Sequence, residues 1–291
     1  MEEAGLPAGV FNLLVAKGEA VGETLVSHPA VAGISFTGSV PTGRKIAQGA
    51  IQHMKKIQME MGGKNPMVIM EDADLDIAIP VTINGAFYQT GQRCTASSRV
   101  IVHEKIYDAF VERFVSEMDK LSVGPALDPT TQIGPVVSDT QLKSNLSYVE
   151  IARNEGCEVV SGQHLAERNT GYFQRPGAFL NANNKMRSSR EEIFGPVASI
   201  IKVDDFEEAV ATANDTEFGL SSAICTRSLY YAREFKRLSE AGMAMVNLPT
   251  AGVDYHVPFG GRKNSSYGSR EQGRAAIDFY TTTKTTYSFA G

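Results

Sequence analysis

Val31-Ala32-Gly33-Ile34-Ser35-Phe36-Thr37-Gly38-Ser39 is the stretch that decides how the rest of the chain is read. Val31 to Phe36 reads as a strand, Thr37-Gly38-Ser39 turns it, and Thr42 to Gln52 follows as a helical run. Strand, glycine turn and helix is the layout of an α/β nucleotide site, where free N–H groups at the helix start meet phosphate. The G-x-G-x-x-G form is absent, and a plain βα turn with Ser39 as N-cap explains the same residues equally well.

Working outward, the alternation continues. Lys56 to Met61 alternates polar and apolar residues, a strand that leaves Glu60 at its C-terminal end, where open α/β sheets place ligands. An exposed strand-end carboxylate is the commoner fate of a glutamate. Pro66 to Met70 begins a further strand, Asp74 caps a helix leading to Phe87, and Val100 to Val102 is a buried strand. Tyr107 to Leu121 is amphipathic, with Phe110, Phe114 and Met118 facing a core. Gln141 to Glu155 is helical and Gly156 ends it before the strand Cys157 to Val160. Phe206 to Ala213 and Tyr230 to Leu238 read as helices, Gly219 to Cys225 and Met243 to Leu248 as strands. The expectation is an α/β fold, a mostly parallel sheet with helices on both faces.

The ends and connections are less regular. Leu6 to Val15 reads as a turn feeding a short buried strand, and Gly22 to Ser27 as a helix stopped by His28-Pro29. Gly124 to Ser138 and Leu165 to Gly177 read as loops, and Gly260 to Gly273, rich in glycine and serine, as a linker. Phe279 to Tyr287 is β-prone through its branched residues.

Composition narrows the function classes. With 291 residues, 42% hydrophobic and 21% charged, the chain has ample material for one large domain or two ordinary ones. A net charge of -5 without any Lys/Arg run argues against nucleic acid or an anionic membrane as partner. No apolar run approaches a membrane span, and Met1-Glu2-Glu3 lacks the basic start of a signal peptide. Cys94, Cys157 and Cys225 are widely spaced with no C-x-x-C pair, and the five histidines show no ligand spacing. That pattern fits a reducing cytoplasm and no metal site.

The chemistry centres on Phe87-Tyr88-Gln89-Thr90-Gly91-Gln92-Arg93-Cys94-Thr95-Ala96-Ser97-Ser98-Arg99, a small flexible turn presenting one cysteine. A thiol placed among backbone amides is favoured as thiolate, the form that attacks electrophiles. Read alone, Cys94 fits the small buried hydrophobe that most cysteines are. Three further segments accompany it in order: Met59-Glu60-Met61-Gly62-Gly63-Lys64-Asn65-Pro66, Glu191-Glu192-Ile193-Phe194-Gly195-Pro196-Val197 and Pro258-Phe259-Gly260-Gly261-Arg262-Lys263.

Together the four resemble the aldehyde dehydrogenase superfamily over essentially the whole chain. Gly91-Gln92-Arg93-Cys94 and the segment from Val246 to Gly261 are similar to the branch that oxidises acidic semialdehydes such as 2-oxoglutarate semialdehyde (2,5-dioxopentanoate). The resemblance implies a three-layer catalytic domain (63–263), a partial Rossmann-like cofactor segment (1–62) and a linker with a C-terminal oligomerisation strand (264–291). It identifies the chain with the C-terminal portion of such an enzyme. It also implies NAD or NADP as cofactor, a small-molecule aldehyde as substrate, and a homodimer or homotetramer.

Carried over residue by residue, the resemblance makes Cys94 the nucleophile and Glu60 the general base. Gly38 and Ser39 fall at the pyrophosphate, Met61 and Gly62 line the cofactor, Glu192 holds the nicotinamide ribose, and Phe194 flanks the ring. Phe259 falls at the substrate. Arg93 suits a distal substrate carboxylate by its bidentate geometry, or else an ion pair that fixes its own loop. Acyl transfer to coenzyme A and a non-catalytic binding fragment remain open beside hydrolytic aldehyde oxidation.

Overall fold

The structure, a computed structural model, describes residues 1–165 and 171–291. Helix α1 (Gly18–Ser27) precedes β1 (Gly33–Thr37), α2 (Val40–Gln52) and β2 (Lys56–Glu60). Ser39 caps α2 by accepting from the Thr42 N–H at 3.4 Å, with Pro41 in the first turn. After β3 (Asn65–Ile69), Asp74 caps α3 (Leu75–Phe87) through the Asp76 N–H at 2.9 Å. The chain then runs through β4 (Ser97–His103), α4 (Glu104–Asp119), α5 (Asp139–Asn154), β5 (Glu158–Ser161), β6 (Gly177–Ala182), the single turn α6 (Arg187–Arg190) and β7 (Val197–Val203). Asp205 caps α7 (Phe206–Asn214), and β8 (Phe218–Gly219), β9 (Ser221–Cys225), α8 (Leu229–Leu238) and β10 (Met243–Val246) follow. The last elements are β11 (Arg262–Lys263), β12 (Ser266–Tyr267) and α9 (Ala275–Tyr280).

Two sheets organise these elements. The larger has the order β10-β9-β3-β4-β7-β6-β5, parallel throughout except that β5 runs against β6. On one face Phe87, Phe110 and Phe114 join α3 and α4 to the strands; the Phe110 and Phe114 rings stack at 5.5 Å. On the other, Val149, Phe206 and Phe235 bring α5, α7 and α8 against Val68, Ile101 and Ile201. The expected three-layer arrangement is therefore present. The smaller sheet has the order β1-β2-β12: β1 and β2 are parallel with Thr37 opposite Glu60, and β12 is antiparallel with Ser266 opposite Glu60. Only Met61 to Lys64 separates β2 from β3. The junction of the two sheets is thus four residues long.

Several expectations need correction. Leu6 to Val15 forms no strand and is not buried; Val15 is 89% exposed. A buried strand needs a neighbour to pair with, and among the described residues no strand pairs with this segment; β1 pairs with β2. Gly260 to Gly273 is no free linker, because it supplies β11 and β12 and an antiparallel bridge between Phe259 and Glu271. Phe279 and Tyr280 end helix α9 instead of opening a strand, and residues 281–291 carry no regular element and are exposed. Leu220 splits the strand expected from Gly219 to Cys225 into β8 and β9. The loop expected from Leu165 to Gly177 lies partly outside the described residues, and Gly177 already begins β6.

Candidate active site

Cys94 stands just before β4, at the N-terminal edge of the large sheet. Helix α3 delivers the chain to Phe87, and a tight turn over Tyr88–Gly91 follows in which Gln89 (φ 55°) and Thr90 (φ 62°) are left-handed. Such backbone costs on the order of 1 kcal/mol or more per non-glycine residue and persists where its surroundings over-determine it. Gly91 is left-handed too, and a Cβ there would lie 2.2 Å from the Gly195 carbonyl oxygen. Glycine therefore lets the cysteine turn close on the Glu191–Gly195 segment.

The thiol is half-buried. Burial raises its pKa first, and the nearby Glu192 and Glu60 carboxylates raise it further, against the amides of Thr95 and of Cys94 itself. The amides expected around the sulfur are there, but burial and the two carboxylates outweigh them.

Glu60 closes β2 and is only 3% exposed, packed between Met59 and Met61, which sets aside the exposed strand-end alternative. Ser266, opposite it on β12, donates to Oε2 at 2.6 Å, while Oε1 is buried with no partner among the described residues. Burial pushes the carboxyl up to about 7; the Ser266 hydroxyl and Arg270 pull it down, and Glu271 adds to the rise. Glu271 is itself held by Ser35 Oγ at 3.2 Å and Gln58 Nε2 at 3.1 Å.

A carboxyl raised in the folded state costs no stability below its unfolded value of 4.5, where both states are protonated, and its cost grows as pH rises through 7. Glu60→Gln is accordingly expected to be more stable than the parent by about 2 kcal/mol at pH 8, with the gap closing between pH 7 and 4.5. Thermal melts across that range check this, and a gap that widens on acidification contradicts it.

The segment before β7 supplies Glu192. Its Oε1 accepts from the Gly63 N–H at 2.9 Å, and a Cβ on Gly62 would lie 2.3 Å from its Oε2, so only glycine admits the carboxylate there. Burial raises the Glu192 pKa, with the Gly63 amide and Lys64 opposing. Its neighbour Glu191 has a structural role, taken up by Tyr148 Oη at 2.6 Å and Arg187 Nε at 2.8 Å. Phe194 is left-handed (φ 59°) and 39% exposed, its ring open to solvent.

Gly38 donates its N–H to the Glu60 carbonyl at 3.1 Å, which ties the turn after β1 to the end of β2; Ser39 beside it is exposed and caps α2. Met61 is buried and donates its N–H to the Ser265 carbonyl at 2.8 Å. Among the described residues Arg93 makes no ion pair and its Nε is unpartnered; its Nη2 donates to the Asn84 and Gly85 carbonyls near the end of α3. Phe259 is buried and exchanges main-chain hydrogen bonds with Glu271 at 2.8 and 2.9 Å.

The structure thus brings Cys94, Glu60, Gly62 and Glu192 together at the sheet junction, with Gly38 and Ser39 one strand away. Sequence reasoning missed Ser266, Arg270 and Glu271. The signal available was an Arg-Glu pair inside a stretch whose composition reads as linker. Among the described residues no helix is long and apolar enough to cross a membrane, and no group of His, Cys, Asp and Glu is placed to hold a metal ion.

Comparison with known proteins agrees with this geometry. The profile of the aldehyde dehydrogenase family matches residues 1–286. An alpha-ketoglutaric semialdehyde dehydrogenase of Bacillus subtilis is 44% identical over 289 residues, covering 98% of this chain and 59% of the relative. A betaine aldehyde dehydrogenase of Sinorhizobium fredii is 42% identical, covering 98% of this chain and 58% of its own length. Among solved structures, a betaine aldehyde dehydrogenase of Staphylococcus aureus in complex with NAD+ superposes with a TM-score of 0.91 at 32% identity, over 96% of this chain and 55% of that one. The chain spans about three-fifths of the length of the curated relatives it matches. A thiol flanked by two buried carboxylates, on this sheet order and with these matches, places it: the chain belongs to the aldehyde dehydrogenase family.

Proposed function

We propose that this chain carries the catalytic machinery of an NAD(P)-dependent dehydrogenase that oxidises an acidic semialdehyde to the carboxylic acid. The observation that carries the reading is Glu60: a buried carboxyl near pKa 7 with an unpartnered oxygen, close enough to the Cys94 thiol to raise its pKa. The Cys94 thiol gives its proton to solvent as its sulfur adds to the aldehyde carbon, and the Cys94 N–H, which faces the sulfur, is placed to stabilise the oxyanion. NAD or NADP, when bound, supplies the hydride acceptor for the oxidation. Glu60 then takes a proton from water; the resulting hydroxide attacks the thioester carbon, the C–S bond breaks, and Cys94 leaves as thiolate.

The residues present fit a nicotinamide dinucleotide. The exposed, Ser39-capped start of α2 suits a phosphate, and Glu192, seated on Gly62, presents a carboxylate suited to a ribose hydroxyl. Gly38, Met61 and the exposed Phe194 ring complete the surface that would hold it. The tail after α9 is proposed to pair with a second copy of the chain.

The Bacillus subtilis relative's name supports the acidic semialdehyde class, and Arg93 is the cation beside the nucleophile that would meet a distal carboxylate. Arg93→Ala is expected to raise KM for 2-oxoglutarate semialdehyde about tenfold or more, and KM for a neutral aldehyde of equal length about threefold at most. Equal changes for both substrates would assign Arg93 to holding the end of α3 alone.

A second reading is favoured by the open edge of β1 and the exposed apolar residues from Val10 to Val15. In it, the cofactor sheet gains further strands before turnover begins. Calorimetric titration with NAD separates the two: saturable binding supports turnover by this chain, and its absence supports the second reading.

A further inference from the structure

Asn65 opens β3 directly behind the cysteine turn and is only 2% exposed. All three of its side-chain hydrogen bonds go to main chain. Its Oδ1 accepts from the Ser221 N–H at 3.1 Å, and its Nδ2 donates to the Cys94 carbonyl at 2.8 Å and the Ala96 carbonyl at 2.9 Å. With one donor on one side and two acceptors on the other, the orientation of the amide is forced. The carbonyl between those two, that of Thr95, accepts from Thr250 Oγ1 at 2.7 Å. Thr250 is wholly buried, and its hydroxyl accepts in turn from Ser97 Oγ at 2.7 Å. Three successive carbonyls after the thiol are therefore each gripped by a buried side chain.

In a planar trans peptide the C=O and N–H point opposite ways, so fixing one fixes the other. Asn65 holds the Cys94 carbonyl, and the N–H of that same peptide belongs to Thr95, the amide that favours the sulfur anion. Thr250 holds the next peptide, whose N–H belongs to Ala96.

We propose that Asn65 is a positioning residue for Cys94: by gripping the carbonyls on either side of Thr95 it keeps the Thr95 N–H turned to the sulfur, and so sets how readily the thiol yields the attacking anion. This rests on the reading of Cys94 as nucleophile. Asn65 touches no substrate and acts only through the peptide it holds.

The test is the pH dependence of alkylation by iodoacetamide, read at Cys94 by peptide mass spectrometry with Cys157 and Cys225 as references. It needs neither cofactor nor aldehyde. In Asn65→Ala the Cys94 midpoint is expected to rise by about one pH unit, with alkylation below the midpoint about tenfold slower. Asn65→Ser, whose hydroxyl is too short to span both carbonyls, is the variant to read should Asn65→Ala not fold, with the same shift expected. Thr250→Val is expected to lower the melting temperature without a comparable shift. An unchanged midpoint in a folded Asn65 variant overturns the proposal, and so does an equal shift in Thr250→Val. Retention of aldehyde oxidation by a Cys94 variant would remove the nucleophile reading while leaving this titration standing.

Discussion

Replacing Cys94 by serine is expected to lower aldehyde oxidation at least about 10³-fold while leaving the fold intact. A serine hydroxyl in the same place meets the same burial and the same two carboxylates, with a far higher starting pKa than a thiol, so almost no anion forms. No other sulfur can take over. Cys157 is buried against the Met186 sulfur at 3.4 Å, and burial pushes the Cys225 thiol up to about 12. Steady-state formation of reduced cofactor, alongside a thermal melt, checks the expectation. Activity within about tenfold of the parent in a folded Cys94→Ser protein would contradict it.

Glu60→Gln is expected to separate the two halves of the reaction. An amide cannot take the proton from water, so hydrolysis slows by about 10²–10⁴-fold, the usual weight of a positioned general base. Addition of sulfur to the aldehyde and the oxidation that follows need no proton taken from water. The variant should therefore release a burst of reduced cofactor equal at most to the amount of Cys94, then stall. Ser266 sets the size of the parent's advantage, since its hydroxyl is the strongest influence lowering the Glu60 pKa. Rapid-mixing kinetics read the burst; its absence, with a uniformly slowed linear rate, would place Glu60 before the oxidation step.

Much of the fold is legible in the sequence, and the reason is local. Ser39 and Asp74 announce helix starts through side chains that reach their own backbone two or three residues on, and both are found as caps. Phe110, Phe114 and Met118 declare the buried face of α4 by their spacing. Strands β6 and β7 give no such local sign. In β7, Val197–Val203, every residue but Lys202 is buried, so a strand at the heart of a parallel sheet carries no alternation to recognise.

The opposite error fell on Leu6 to Val15, where apolar residues suggested a buried strand that the fold leaves unpaired and exposed. Ser266, Arg270 and Glu271 were hidden because glycine-rich composition reports local freedom and says nothing of what the segment pairs with. Placement followed two rules at once. Glu60 obeys the expectation that ligands gather at the C-terminal ends of parallel strands, while Cys94 and Glu192 enter from the N-terminal edge of the larger sheet. The four-residue link from β2 to β3 makes those two edges one place.

Intact-protein and peptide mass spectrometry of Glu60→Gln, quenched after mixing with NAD and 2-oxoglutarate semialdehyde, tests the central claim most directly. The account predicts one acyl group, carried on the Cys94 peptide and released by hydroxylamine as a thioester is. Acid product formed by the parent at full rate, with Cys94 never acylated in either protein, would contradict it.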